Sequence, residues 1–265
     1  MFRVSCIQLK SNNNIQSNFI KTERLIKKAI SQKADFILTP EVSSLFTLNK
    51  KLLLNQCTSM DKDKYLKGIK KLAKKHKKWI LIGSLVTKIG KNKLVNRSVL
   101  INSKGRIQSY YDKIHMYDVT LSKKESYLES RTFVAGKKHQ ISRLPWGKLG
   151  MSVCYDLRFP NLYRNLAKKG SLFLSIPSAF TQTTGKRHWH SLLKARAIEN
   201  FCYIFAPAQG GTHYNGRKTF GHSLIISPDG KIIKELGKKE GVITASIDPK
   251  TAKKLRLIIP SLKKD

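Results

Sequence analysis

The stretch "GMSVCYDLRFP", Gly150 to Pro160, decides how the rest of the chain is read. An apolar run from Leu149 to Val153 ends in Cys154. Polar and charged residues follow at once, and Pro160 suits the first turn of a helix. A buried strand therefore hands over to a helix at a thiol. Ligands of open α/β sheets bind beyond the carboxyl ends of strands, where loops carry polar groups on a rigid base. Leu162 and Leu166, four apart, give the helix an apolar stripe to pack back onto the sheet, and Asp156 is expected to cap it.

Two further strand ends carry reactive groups. "ADFILTPE" (34–41) runs into Glu41, and "SYYDK" (109–113) runs into Lys113. A thiol is a weak nucleophile until it loses its proton, so it needs a base or a cationic neighbour. Glu41 can take the proton. Lys113 can stabilise the thiolate and the oxyanion of a tetrahedral intermediate, and backbone N–H groups after the cysteine can add to it. Each residue also has a plainer reading. A cysteine after an apolar strand is more often a small core residue, Glu41 a solvated strand end, and Lys113 one of many surface lysines.

Around these motifs, strand-like runs alternate with helical ones. Helices are expected at 18–32, at 63–76, after Pro160 up to Gly170, and over "RHWHSLLKARAIEN" (187–200), with Trp189, Leu192, Leu193 and Ala197 on one face. Hairpin turns are expected at Ser103-Lys104-Gly105 and Pro228-Asp229-Gly230. No Ser/Gly/Pro tract divides the chain, which reads as one domain over 1–265, with a core of about 2–250 and a C-terminal extension over 251–265. Alternating strands and helices plus hairpins imply an α/β fold with a mixed sheet, or two packed sheets with helices outside.

The 265 residues are 40% hydrophobic, enough for a sizeable core, and no apolar run is long enough to span a bilayer. The N-terminus "MFRVSCIQLK" lacks a signal-peptide layout, so a cytoplasmic protein without a membrane partner is expected. Cys6, Cys57, Cys154 and Cys202 are scattered, with no CxxC pair, and suit a reducing compartment. The net charge of +36 raises nucleic acid as a partner, and with it a non-enzymatic binding protein. The excess is mostly lysine spread over helices and turns, as in "IKKLAKKHKK" (69–78), which reads as a solvated face. No zinc-ligand spacing, RNP-like aromatic motif or Gly-rich phosphate loop occurs, so no metal, cofactor or specific nucleic acid is expected. A rival thiol chemistry would give Cys154 a histidine partner, with His188, His190, His213 and His222 downstream.

In order, "FILTPE", "YYDKIHMYD" and "GMSVCYDLRFP" resemble the signatures of the nitrilase superfamily of carbon–nitrogen hydrolases, and the likeness extends from Gln8 to the closing "IDPKTAKKLRLIIPSL". The resemblance implies a four-layer α-β-β-α sandwich, commonly paired as a homodimer. It implies Glu41 as general base, Lys113 as oxyanion stabiliser and Cys154 as nucleophile, forming an acyl-thioester. It also implies a second glutamate beside the lysine. Glu125 and Glu129 are the choices, and the spacing to Gly136 selects Glu129. "KIHMYD", "YDLRFP", "PSAF" and "HW" are similar to amidases that act on deaminated glutathione or on ω-amides of 2-oxo acids; nitrile hydrolysis by the same triad is the alternative. Substrate contacts are then expected from Tyr155, Arg158, Ser178, Phe180, Lys186, Arg187 and His188, with Arg158, Lys186 and Arg187 receiving a substrate carboxylate or, for Arg158, pairing with Asp156. Asn161 after "RFP" and Gly185-Lys186-Arg187 before "HW" depart from the family pattern near the pocket rim.

Overall fold

Side chains that alternate along short strands build two cores, one on each face of the first sheet. In the computed structural model, which describes residues 1–123 and 125–264, the chain runs through β1 (Phe2–Gln8), α1 (Ile15–Ser31), β2 (Phe36–Leu38), α2 (Lys50–Gln56), α3 (Lys64–His76), β3 (Trp79–Gly90), β4 (Lys93–Ile101) and β5 (Ile107–Asp112). A small ribbon follows, β6 (Asp118–Ser122) and β7 (Glu125–Leu128). The second half has β8 (Gln140–Leu144), β9 (Gly147–Met151), α4 (Pro160–Lys168), β10 (Ser171–Ser175), α5 (Gln182–Asn200) and β11 (Tyr203–Ala206). A second ribbon, β12 (Gly210–Thr212) and β13 (Lys218–Phe220), precedes β14 (Leu224–Ile226), β15 (Ile232–Glu235), β16 (Gly241–Ile247) and α6 (Pro249–Ile258).

One mixed sheet has the order β16-β1-β2-β3-β4-β5, the other β15-β14-β11-β10-β9-β8. On β2, Phe36 and Leu38 face the second sheet, and the Phe36 ring meets Phe205 edge-on at 6.2 Å. Ile37, between them, points the other way and joins Ile80, Ile82, Leu25, Ile26, Tyr65 and Ile69 under α1 and α3. Helices α4 and α5 cover the outer face of the second sheet with Leu162, Leu166, Trp189, Leu193 and Ala197. A Cβ at Gly150 would come within 3.0 Å of Leu166, so the glycine lets α4 sit close on β9. This is the expected α-β-β-α sandwich of two mixed sheets, with Leu162 and Leu166 packed as read.

Several boundaries differ from expectation. Helix α5 starts at Gln182, five residues before Arg187, because Thr181 caps it by accepting from the Thr184 N–H. Asp156 does not cap α4. It turns inward, accepting from Val153 N (2.8 Å), Tyr111 Oη (2.8 Å) and His115 N (3.1 Å). Helix α6 crosses residue 250, so the expected break between core and extension falls inside an element. The helix is tied to the second half by Arg256, which donates to the carbonyls of Ser171 (2.6 Å) and Asn200 (3.0 Å). The last residue of the expected extension, Asp265, lies outside the described residues. The lysines of α3 at 67, 71, 74 and 75 are exposed while its apolar stripe is buried, as a solvated basic face requires. Among the described residues no helix is long and apolar enough to cross a membrane.

Candidate active site

Each of the three expected groups sits just past the end of a sheet strand, and its backbone is fixed there. Beyond β2, Thr39 N–H donates to Leu81 O (3.0 Å), and Gln209 Nε2 donates to the Glu41 carbonyl (2.9 Å). A Cβ at Gly83 would lie 2.0 Å from Thr39 O and 2.5 Å from Pro40 O, so only glycine lets β3 run this close to the Glu41 loop. Beyond β5, Lys113 N–H donates to Asn96 O (2.9 Å), and Lys113 O accepts from Gly136 N–H (2.8 Å). A Cβ at Gly136 would meet Asp112 O at 2.1 Å, which gives the Glu129–Gly136 spacing its physical meaning. Beyond β9, Cys154 N–H donates to Pro177 O (2.9 Å), and a 3-10 turn over Cys154–Arg158 precedes α4. Cys154 has φ +50°, a left-handed conformation that costs an L-residue about 1–2 kcal/mol.

The side chains converge. Lys113 Nζ, almost fully buried, lies 3.1 Å from Glu41 Oε1 and 2.8 Å from Glu129 Oε2. Asn96 Nδ2 donates to Glu41 Oε1 (2.9 Å) and Glu129 Oε1 (3.3 Å), and Ala179 N–H donates to Glu41 Oε2 (2.8 Å). Glu129 also accepts from Tyr117 N–H at 2.6 Å. Glu125 stays outside this cluster, bonded to Tyr127 Oη and Thr183 Oγ1 at 3.1 Å each. The Cys154 thiol meets the Glu41 carboxylate.

Burial alone would push the Glu41 carboxyl up, but the Lys113 ammonium and hydrogen bonds from Cys154 and Lys113 outweigh it and hold the group below its ordinary range. For Lys113 burial opposes the charge, and the carboxylates of Glu129 and Glu41 restore it, raising its pKa well above the ordinary value. Burial and then the Glu41 charge push the Cys154 thiol up. The resting site therefore holds a carboxylate, an ammonium and a neutral thiol. A neutral thiol must lose its proton to react, and the Glu41 carboxylate is the acceptor in contact with it. Two outcomes follow in pH profiles. Hydrolysis should persist as pH falls through the usual carboxylate range near 4.3, because Glu41 stays ionised below it. Alkylation of Cys154 by iodoacetamide should not accelerate between about pH 7 and 9.5, where an ordinary thiol with a pKa near 8.5 ionises. A steep alkaline rise in the labelling rate would show a resting thiolate in equilibrium with bulk solvent.

These groups open into a cavity of about 400 Å³. Tyr155 and Phe180 line it as expected. Ser178 does not: it is buried in the scaffold, donating from Oγ to Ile176 O (3.1 Å) and from N–H to Pro207 O (2.9 Å). Arg158 neither pairs with Asp156 nor lines the cavity. Its guanidinium meets His188 Nδ1 (3.2 Å) and lies over the rings of Phe180 (5.4 Å) and Tyr155 (5.9 Å). His188 thus reaches the site only through Arg158. Lys186 and Arg187 are exposed and border, with Lys218, an outer basin that shares Tyr127 and Arg217 with the cavity. None of the seven histidines lines the cavity, so the base facing the thiol is a carboxylate and not an imidazole.

Sequence reasoning missed the cavity's own cation, Arg217. It stands on the turn before β13, its guanidinium 5.1 Å from the Phe46 ring and 5.0 Å from the Tyr127 ring. One nitrogen donates to Ala179 O (3.2 Å), and its buried Nε has no partner among the described residues. It borders both the cavity and the outer basin. Phe46, Asn96, Tyr117 and Tyr127 were missed as well; none follows a strand in a recognisable pattern.

Residues 3–257 match the family described as carbon-nitrogen hydrolase. The chain belongs to the carbon–nitrogen hydrolase family. This hydrolase is 38% identical over 98% of its length, and 97% of the relative's, to the deaminated glutathione amidase of Synechocystis. To the mouse protein of the same name it is 34% identical, over 97% of its own length and 81% of that protein's. Its fold overlays the crystal structure of the Caenorhabditis elegans NitFhit protein with a TM-score of 0.93 at 33% identity, all of the hydrolase covering 65% of that longer chain. Nit3 of Saccharomyces cerevisiae, a member of branch 10 of the nitrilase superfamily, gives a TM-score of 0.88 at 26% identity, with 98% and 94% covered. The chain is thus an amidase of the nitrilase superfamily, a hydrolase acting on a carbon–nitrogen amide bond.

Proposed function

We propose that the enzyme hydrolyses a small amide bearing a carboxylate, of the deaminated glutathione or 2-oxo-acid ω-amide type, by a Glu41–Lys113–Cys154 triad. Cys154 Sγ adds to the amide carbon as its proton passes to Glu41. Lys113, with the Tyr155 N–H at the head of the 3-10 turn, stabilises the oxyanion. The tetrahedral intermediate collapses, the C–N bond breaks, and Glu41 returns the proton to the leaving nitrogen, releasing ammonia or an amine. Water, deprotonated by Glu41, then adds to the thioester; the C–S bond breaks, Glu41 returns the proton to the Cys154 sulfur, and the acid is freed. Glu129 orients Lys113 from the far side.

The observation that carries the acidic substrate is Arg217. A cation with a buried, unpartnered Nε in the same cavity as Cys154 suits an anionic substrate group. It takes the role expected of Arg158, Lys186 and Arg187. Relatives named deaminated glutathione amidase support the same class. Initial rates of product release from paired acidic and neutral amides, with nitriles in the same panel, test it. Arg217→Ala should raise KM for the acidic amide roughly 10–100-fold, the worth of a hydrogen bond to a charged group, and should change KM for the neutral one little. Equal turnover of both amides by the unaltered enzyme would overturn the acidic class, and faster nitrile turnover would move the reading to a nitrilase.

Four buried free thiols and an enzyme of small molecules suit a cytoplasmic location. Exposed Ile198 on α5 and Leu257, Ile258 and Ile259 at the end of α6 suit a homodimer contact. The basic surface needs no nucleic-acid or membrane partner to account for it.

A further inference from the structure

His190, His222 and Glu235 come together from three separate elements: α5, the turn after β13, and β15. His190 Nε2 lies 3.0 Å and His222 Nδ1 2.6 Å from the same oxygen, Glu235 Oε1. All three ligand atoms lie within 4.8 Å of one another. The surrounding packing orients both rings. Phe220 stacks on His222 (4.3 Å between centroids) and meets His190 edge-on (6.0 Å). The His222 backbone is held at both ends, its carbonyl accepting from Trp189 Nε1 (2.8 Å) and its N–H donating to Gly237 O (3.1 Å). The three side chains are partly open to solvent, none lines the catalytic cavity, and none enters the proposed hydrolysis.

Two imidazole nitrogens aimed at one carboxylate oxygen either each present a proton or share a cation. A neutral imidazole carries one proton on either nitrogen, and its bare nitrogen is a metal ligand. Two imidazoles and a carboxylate form the donor set of a zinc-type ion with an open fourth position. Ligand atoms about 2.1 Å from such an ion stand roughly 3.4 Å apart in a tetrahedron, against 3.0 and 2.6 Å for the two His–Glu pairs and no more than 4.8 Å among all three, so small shifts bring them to that spacing. We propose that His190, His222 and Glu235 form a binding site for a divalent transition-metal ion of the zinc class. The chain's charge of +36 repels cations generally, so ligation by imidazole must select the ion, and magnesium or calcium should not bind. A bound ion would tie α5 to β15 and stabilise the fold.

The test uses the full chain after dialysis against EDTA, on a Cys154→Ala background so that metal on the catalytic thiol does not count. Cobalt(II) is titrated first, with its visible absorption as the signal, and zinc then displaces it. The expected result is one ion per chain. Zinc at about 100 times its Kd should raise Tm by about 5 °C or more. His190→Ala and Glu235→Gln should each weaken binding at least tenfold, while neither changes amide hydrolysis in the chain that retains Cys154. Glu235 is on the surface, so its variant guards against misfolding of the other. Absence of saturable cobalt binding below about 1 mM, or binding unchanged in both variants, would overturn the site.

Discussion

Replacing Cys154 by alanine is expected to end amide hydrolysis, with a loss on the order of 10⁵ in kcat or more. Only this thiol stands at a strand end facing a carboxylate. Cys6 is buried under desolvation that pushes its thiol far up, Cys57 is pushed up to about 12, and Cys202 is pushed up to about 11 with Arg256 beside it. Burial raises Cys154 too, so the proposed mechanism draws its reactivity from the adjacent Glu41 carboxylate and not from a low resting pKa. An electrophilic substrate analogue should accordingly label Cys154 alone, seen as a single modified peptide by mass spectrometry. The alanine chain should fold, since the change removes one sulfur from a site that opens on a cavity. Turnover surviving in the alanine chain would end the nucleophile assignment.

Lys113→Arg is expected to cost about 10²–10³ in kcat, the loss typical of one oxyanion donor. The ammonium occupies a gap between Glu41 and Glu129 spanned by contacts of 3.1 and 2.8 Å, with Asn96 bridging the same two carboxylates. A planar guanidinium fills that gap with a fork and pairs with the carboxylates in place of donating to the substrate. It keeps the charge, so folding should survive where Lys113→Met, leaving the buried Glu41 and the part-buried Glu129 uncompensated, should unfold the chain more readily. Comparing kcat with Tm across the two variants separates donation from charge. Near-normal kcat in Lys113→Arg would show that the charge alone suffices.

The parts of this molecule that sequence shows well are those set by local periodicity. The alternation in Phe36-Ile37-Leu38, the stripe of α3 and the strand that stops just before Cys154 are each readable from a few neighbours. Glu41, Lys113 and Cys154 each follow a strand-like run, but it is the resemblance of "FILTPE", "YYDKIHMYD" and "GMSVCYDLRFP" to a known family that gives them roles. Arg217 was not readable, because it lies on a ribbon turn and is one of 52 basic residues. Only the fold of that ribbon carries it between Phe46 and Tyr127, residues 171 and 90 positions away. Lys186 and Arg187 misled by the opposite effect. They are close in sequence to "PSAF", yet capping by Thr181 starts α5 early and turns them outward. Asp156 was assigned to the nearest helix end, whereas its long-range partners Tyr111 and His115 decide its position.

The left-handed backbone at Cys154 has a cost beyond geometry. Glycine adopts that conformation without the steric cost, so position 154 carries about 1–2 kcal/mol of backbone strain to hold a side chain that can react. The cysteine persists only where turnover is also selected.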